Sequence, residues 1–198
     1  MVSGDTYILH IHYWLLLIDY WLLDIVNCRL PFAVSRLLST PDYQKNCMTN
    51  EELKQALVII HPSLVFEEGP EWLNMYAESP EWLSLAQKLR RDEQLYFDYL
   101  FCLTCVDWKT HLTMVYHLSS TKHHSSIVIK SKLDRSNPEI ETVCHIWKTA
   151  EFHEREVFEL FGVKFLHHPD LRNLILPDVW AGYPLRKDYE DAVNMIKL

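Results

Sequence analysis

Cys102-Leu103-Thr104-Cys105 has the spacing at which two thiols bind zinc, help hold an iron–sulfur cluster or act as a redox pair. The run around it reads as a strand, where residues three apart point to opposite faces, so the two sulfurs would not meet on one ion. A cluster needs four thiolates, and Cys28, Cys47 and Cys144 form no second pair. Cys102 and Cys105 therefore read as small buried hydrophobes. His153-Glu154 opens like a zinc-protease helix, but Val157 stands where the second histidine must sit. His167-His168-Pro169-Asp170 offers two imidazoles and a carboxylate, and turn chemistry accounts for Pro169 and Asp170 without a metal. Glu154-Arg155-Glu156, with Glu159 one turn past Arg155, reads as a solvated helix face carrying an ion pair. Arg186-Lys187-Asp188 beside an aromatic-rich tail suits bidentate pairing with a carboxylate on another protein. No serine, cysteine or histidine lies in a nucleophile motif, so no catalytic, cofactor-binding or metal-binding residue is expected in this chain.

Composition narrows the class further. With 198 residues, 48% of them hydrophobic, the chain can bury one sizeable core. Four glycines are too few for a phosphate-cradling loop. Of the net charge of −8, most falls between Met48 and Leu100, where ten acidic residues face four basic ones; nucleic acid would be repelled. Five cysteines at irregular spacing do not read as a disulfide framework, which points to a reducing, cytoplasmic setting.

The elements that must position these groups begin late. Residues 1–47 form an extension of doubtful status: Tyr7 to Val26 is rich in aromatics and leucine but contains His10, His12, Asp19 and Asp24, and no Lys or Arg precedes Arg29. A membrane span there would place Asp19 near mid-bilayer at about 2.5–3.5 kcal/mol. Met48-Thr49 followed by Glu52 is a capping box opening an amphipathic helix to about Ile60, which makes Met48 a natural functional start. A short strand, Ser63 to Glu67, follows. Ser79 caps a second helix with Pro80 at its first position. Leu95 to Val106, Leu112 to Leu118 and Ser126 to Leu133 then form an antiparallel meander, and Ala150 to Phe161 a third helix ended by Gly162.

The reading is an α+β, two-layer domain over 48–162, with helices on a mostly antiparallel sheet. From 163 to 198 comes a long irregular tail, broken by Pro169, Pro177 and Pro184. Its Phe165, Leu171, Leu174, Ile175, Leu176, Trp180 and Leu185 argue against disorder, so it is expected to lie against another protein.

Trp147, Glu154-Arg155-Glu156-Val157, Phe161-Gly162-Val163-Lys164-Phe165, His168-Pro169-Asp170-Leu171-Arg172 and Pro184-Leu185-Arg186-Lys187-Asp188, in that order, closely resemble the signature region of a known family. It is the 30-kilodalton subunit family of NADH–quinone oxidoreductase, the C-type subunit of the bacterial enzyme. Cys105-Val106-Asp107 and Val115-Tyr116-His117-Leu118 extend the likeness over roughly Met48 to Tyr189, with departures at Glu159, His167 and Tyr183, where aspartate, glycine and histidine are more usual. The resemblance implies a non-catalytic structural subunit of the peripheral arm of a proton-translocating complex. Its partners would be the quinone-site (D-type) subunit and the iron–sulfur (B- and I-type) subunits. Iron–sulfur clusters, flavin and quinone would belong to those partners, and membrane association would be indirect, at the cytoplasmic face of the bacterial inner membrane. Two other readings compete: the same scaffold role in a membrane hydrogenase or other donor-linked complex, and a free-standing acid–base enzyme using Glu154, Glu156 or His168.

Overall fold

The structure, a computed structural model, describes residues 48–67 and 72–190. The expectations for residues 1–47, including the membrane span, lie outside the described residues, as does the end of the tail from 191 onward. Among the described residues no helix is long and apolar enough to cross a membrane.

The capping box forms as its residues dictate. Helix α1, Asn50–Ile60, opens with the Glu52 N–H donating to Thr49 Oγ1 at 3.4 Å and the Thr49 N–H donating to the Glu52 carboxylate at 2.8 Å. Leu53 and Leu57 are its buried residues. Strands β1 (Val65–Glu67) and β2 (Leu73–Tyr76) follow, then a 3-10 turn, Ser79–Glu81, that leads into α2, Trp82–Arg91. Ser79 does not cap this helix. Glu78 precedes the turn without a side-chain cap, Pro80 sits in its first positions, and Ser79 Oγ donates instead to the Glu139 carbonyl at 3.3 Å.

The meander is present as β3 (Tyr99–Asp107), β4 (His111–Ser120) and β5 (Ser125–Asp134), all antiparallel neighbours. The five-stranded sheet runs β1-β2-β5-β4-β3, with β2 parallel to β5. Four residues with one cycle of alternation give β2 too weak a pattern to be read from sequence. Leu100, Leu103, Leu112, Met114, Tyr116, Leu118, Ile127 and Ile129 point to one face, where they join Leu53, Leu57, Trp82, Leu85 and Leu89 of the helices in a single core. The Trp82 and Tyr116 rings, 4.2 Å apart, mark the contact of α2 with the middle of the sheet.

Helix α3, Ala150–Phe161, packs along β3, and Thr149 Oγ1 donates to the Leu100 carbonyl at 2.7 Å. The Trp147 indole donates to the Phe97 carbonyl at 3.0 Å. A second, two-stranded sheet pairs β6 (Glu139–Glu141) in parallel with β7 (Lys164–Leu166), and Val163 and Phe165 are buried. Val163 and, within β7, Phe165 belong to the same hydrophobic cluster as the helices and the large sheet, so apolar packing continues past the Gly162 at which α3 ends.

Cys105 lies in the core and Cys102 is half-buried on the opposite face of β3, with a bulge between Leu100 and Cys102. Burial pushes the two thiols up to about 12 and about 11 respectively, as suits inert packing residues.

Replacing Thr49 by Ala removes the reciprocal cap of α1 and is expected to destabilise the domain by about 1 kcal/mol, read as a lower urea midpoint with an unchanged m-value.

Candidate functional site

Gly162 ends α3 in the left-handed region (φ 73°), its N–H donating to the Phe158 carbonyl at 2.9 Å. The chain then makes β7 and turns back over the helix. As a result Glu154, Arg155 and Glu159 are buried, and the expected solvated helix face is corrected: among these acidic and basic residues only Glu156 remains half-exposed. Sequence periodicity could not show this, because the cover comes from an irregular segment with no periodicity of its own.

Buried charge requires partners. Glu154 has no solvent exposure (0%); its carboxylate accepts hydrogen bonds from Thr142 Oγ1 and from the Val143 N–H, the latter at 2.8 Å. Burial raises its pKa to about 7, against the opposing pull of those two donors. His168 Nε2 lies 3.8 Å from the same carboxylate and its side chain is likewise fully enclosed. Its Nδ1 accepts the Asp170 N–H at 3.1 Å, which assigns the proton to Nε2, the donor to the Glu151 carbonyl at 3.2 Å. Arg155 donates from Nε and Nη2 to the carbonyls of Arg172 (3.1 Å) and Asn173 (3.0 Å). One turn on, Glu159 accepts the N–H groups of Leu174, Ile175 and Leu176 at 2.8–3.0 Å on Oε2.

The far end of the segment is fixed separately. Leu185 N–H donates to the Leu160 carbonyl at 3.1 Å and Arg186 Nε to the Phe161 carbonyl at 2.6 Å, with the Arg186 guanidinium over the Tyr183 ring. Tyr183 presses on Gly162 so closely that a Cβ there would sit 2.5 Å from the ring. Arg135 grips Asp107 and Asp188 together, with Nη2 at 2.9 and 2.6 Å from their oxygens, and the Lys187 N–H also donates to Asp107. Those Arg135 hydrogen bonds hold the Asp107 carboxyl well below the usual carboxylate range.

Arg186 donates through Nε to the Phe161 carbonyl of its own chain, an engagement that its neighbours in sequence did not suggest. The tail, moreover, does not owe its order solely to a second polypeptide: its backbone is bound at both ends by charged groups of its own domain. Its side chains are another matter. Ile175 is 67% exposed and Val179 92%, and Leu174, Trp180, Tyr183 and Leu185 are also exposed. The structure thus gathers the signature residues Glu154, Arg155, His168, Asp170 and Arg172 at one end of the segment. Gly162, Pro184, Leu185, Arg186, Lys187 and Asp188 meet at the other. Pro169 is exposed in the turn, Leu171 packs against the core, and Glu156 joins neither set.

Sequence reasoning missed Thr142, Asp107 and Arg135 as anchors and took Glu159 only as a surface pair. Nothing local marks Arg135, whose partners are 28 and 53 residues away.

Cys144, Glu154 and His168 place potential metal-binding atoms within 4.8 Å of one another. The groups do not suit a cation as arranged, since the imidazole uses one nitrogen as acceptor and the other as donor. Burial also raises the Cys144 thiol pKa. Nor does an acid–base role fit Glu154 and His168, whose side chains are closed to solvent (0% each).

Comparisons with known proteins agree with this architecture. The family described as "Respiratory-chain NADH dehydrogenase, 30 Kd subunit" matches residues 75–193. The C subunit of the NADH-quinone oxidoreductase of Moorella thermoacetica is 38% identical over 68% of this chain and 91% of its own length. The fused C/D subunit of the NADH-quinone oxidoreductase of Phocaeicola vulgatus is 44% identical over 56% of this chain, a stretch that spans 21% of the fusion. A trypsin-resistant fragment of Nqo5 shares the fold, with a TM-score of 0.52 at 24% identity, over 60% of this chain and 98% of that one.

The raised Glu154 pKa has a sign. Between its ordinary value of 4.5 and about 7 the folded chain keeps a proton that the unfolded chain releases, so this contribution is complete below the lower value and lost as pH rises through the upper. A melting series across that window is expected to show a decline with pH in the wild type that Glu154→Gln lacks.

Proposed function

The chain belongs to the 30-kilodalton subunit family of the respiratory-chain NADH dehydrogenase, and on that premise we propose that it is a non-catalytic structural subunit of the peripheral arm of a proton-translocating NADH–quinone oxidoreductase. In this reading it docks through the segment 167–189 onto the quinone-site (D-type) subunit, near the iron–sulfur (B- and I-type) subunits. Those partners hold the clusters, flavin and quinone. The assembly sits at the cytoplasmic face of the bacterial inner membrane, and this chain reaches the membrane only through it.

One observation carries the proposal: a segment whose backbone is tied down by buried charges displays a row of apolar side chains to solvent. An isolated soluble protein gains nothing from ordering such a surface, whereas a member of an assembly gains affinity, because a preformed surface loses less entropy on docking. Fusion of the C- and D-type subunits in a relative supports the choice of partner, since one polypeptide keeps the two side by side.

The test uses point variants rather than truncation, because removing the tail would strip Arg155 and Glu159 of their backbone partners and uncover the helix face that the tail shields, disturbing the domain as well as the docking surface. Val179→Asp is expected to abolish co-purification with the quinone-site subunit while shifting the stability of the free chain by no more than about 0.5 kcal/mol. Undiminished co-purification would overturn the docking role.

A further inference from the structure

Arg155 and Glu159 are one helical turn apart on α3 and handle the tail backbone in opposite ways. The guanidinium takes the carbonyls of Arg172 and Asn173. The carboxylate takes the next three amides, those of Leu174, Ile175 and Leu176. Three consecutive N–H groups converging on one anion curl the backbone into a nest, and the side chains at its rim then have to point away from it. Leu174 and Ile175 do so, at 39% and 67% exposure. Because these amides are already occupied, an incoming protein cannot add to this stretch as a β-strand, a mode that needs free backbone N–H groups along the edge. What is left to recognise is side chains.

We infer that Glu159 and Arg155 are positioning residues for assembly: they set the backbone of 172–176 in the free chain, so that Leu174 and Ile175 are presented as a pair of anchors to an apolar pocket on the partner protein. The inference rests on the docking role proposed above and adds to it the device that shapes the surface, the timing (before the partner arrives) and the mode of recognition. Neither residue touches the partner in this scheme. Their effect on assembly is transmitted through the tail backbone alone.

Residue-resolved amide exchange on the full chain, paired with reconstitution against the purified quinone-site subunit, separates the possibilities. In the free wild type the amides of 174–176 are expected to be protected. Glu159→Gln replaces an anion by a neutral amide that presents a donor to the nest. It should speed their exchange by about tenfold or more, and raise the partner concentration needed for assembly by a similar factor. Ile175→Asp should weaken assembly while leaving that protection in place. Unprotected 174–176 amides in the free wild type would overturn the inference, and this measurement decides the matter even if Glu159→Gln fails to fold. Faster exchange in Glu159→Gln with undiminished assembly would also overturn it, without touching the docking role. Normal assembly of Ile175→Asp would instead remove the docking role on this surface, and the inference with it.

Discussion

Burial of three ionisable side chains on one helix is the constraint around which the rest of this structure is arranged. An ionised carboxylate or guanidinium taken from water loses several kcal/mol of solvation, and only close, well-directed partners offset that loss. Glu154, Arg155 and Glu159 find theirs mostly in backbone groups: an amide and a hydroxyl of the loop before α3 for Glu154, two carbonyls for Arg155, three amides for Glu159. The dependence runs both ways. An irregular segment has no ladder in which to satisfy its own N–H and C=O groups, so it requires the helix as much as the helix requires it.

A second clamp closes the other end. Arg135 joins Asp107, enclosed at the end of β3, to the more exposed Asp188, and the Arg186 and Lys187 backbone and side-chain contacts seat the chain against Phe161 and Asp107. Between the two clamps the segment from about 177 to 184 is tied at both ends, and its Val179, Trp180 and Tyr183 stay at the surface. In the docking role proposed, a loop held in this way serves as a preformed interface, in contrast to a tail that would have to fold onto its partner and bear the ordering entropy at that moment.

The same arrangement encloses several residues whose types could do chemistry. Glu154 and His168 are enclosed and hydrogen-bonded, and Cys102 and Cys105 sit on opposite faces of a strand with thiol pKa values raised by burial. In the function proposed, these groups serve packing and hydrogen bonding rather than catalysis. That accords with a family whose members are subunits of a respiratory complex and whose redox groups, in the function proposed, belong to neighbouring chains.

Much of the framework is local and could be read directly. The Thr49–Glu52 cap, the apolar stripe of α2, the three long strands and the Gly162 stop each depend on residues within a few positions of one another, so spacing alone specifies them. The motifs from Trp147 to Asp188 likewise named the family from their order. What spacing could not supply was the pairing of β2 with β5, the return of β7 to the core, or the partners of Arg135, because these join positions tens of residues apart and leave no periodic trace. Nor could it show that Glu154, Arg155 and Glu159 are buried. A charged helix face reads as solvated unless something covers it, and here the cover is an irregular stretch of chain held by hydrogen bonds to Arg155 and Glu159 at one end and by the Arg135 and Arg186 contacts at the other.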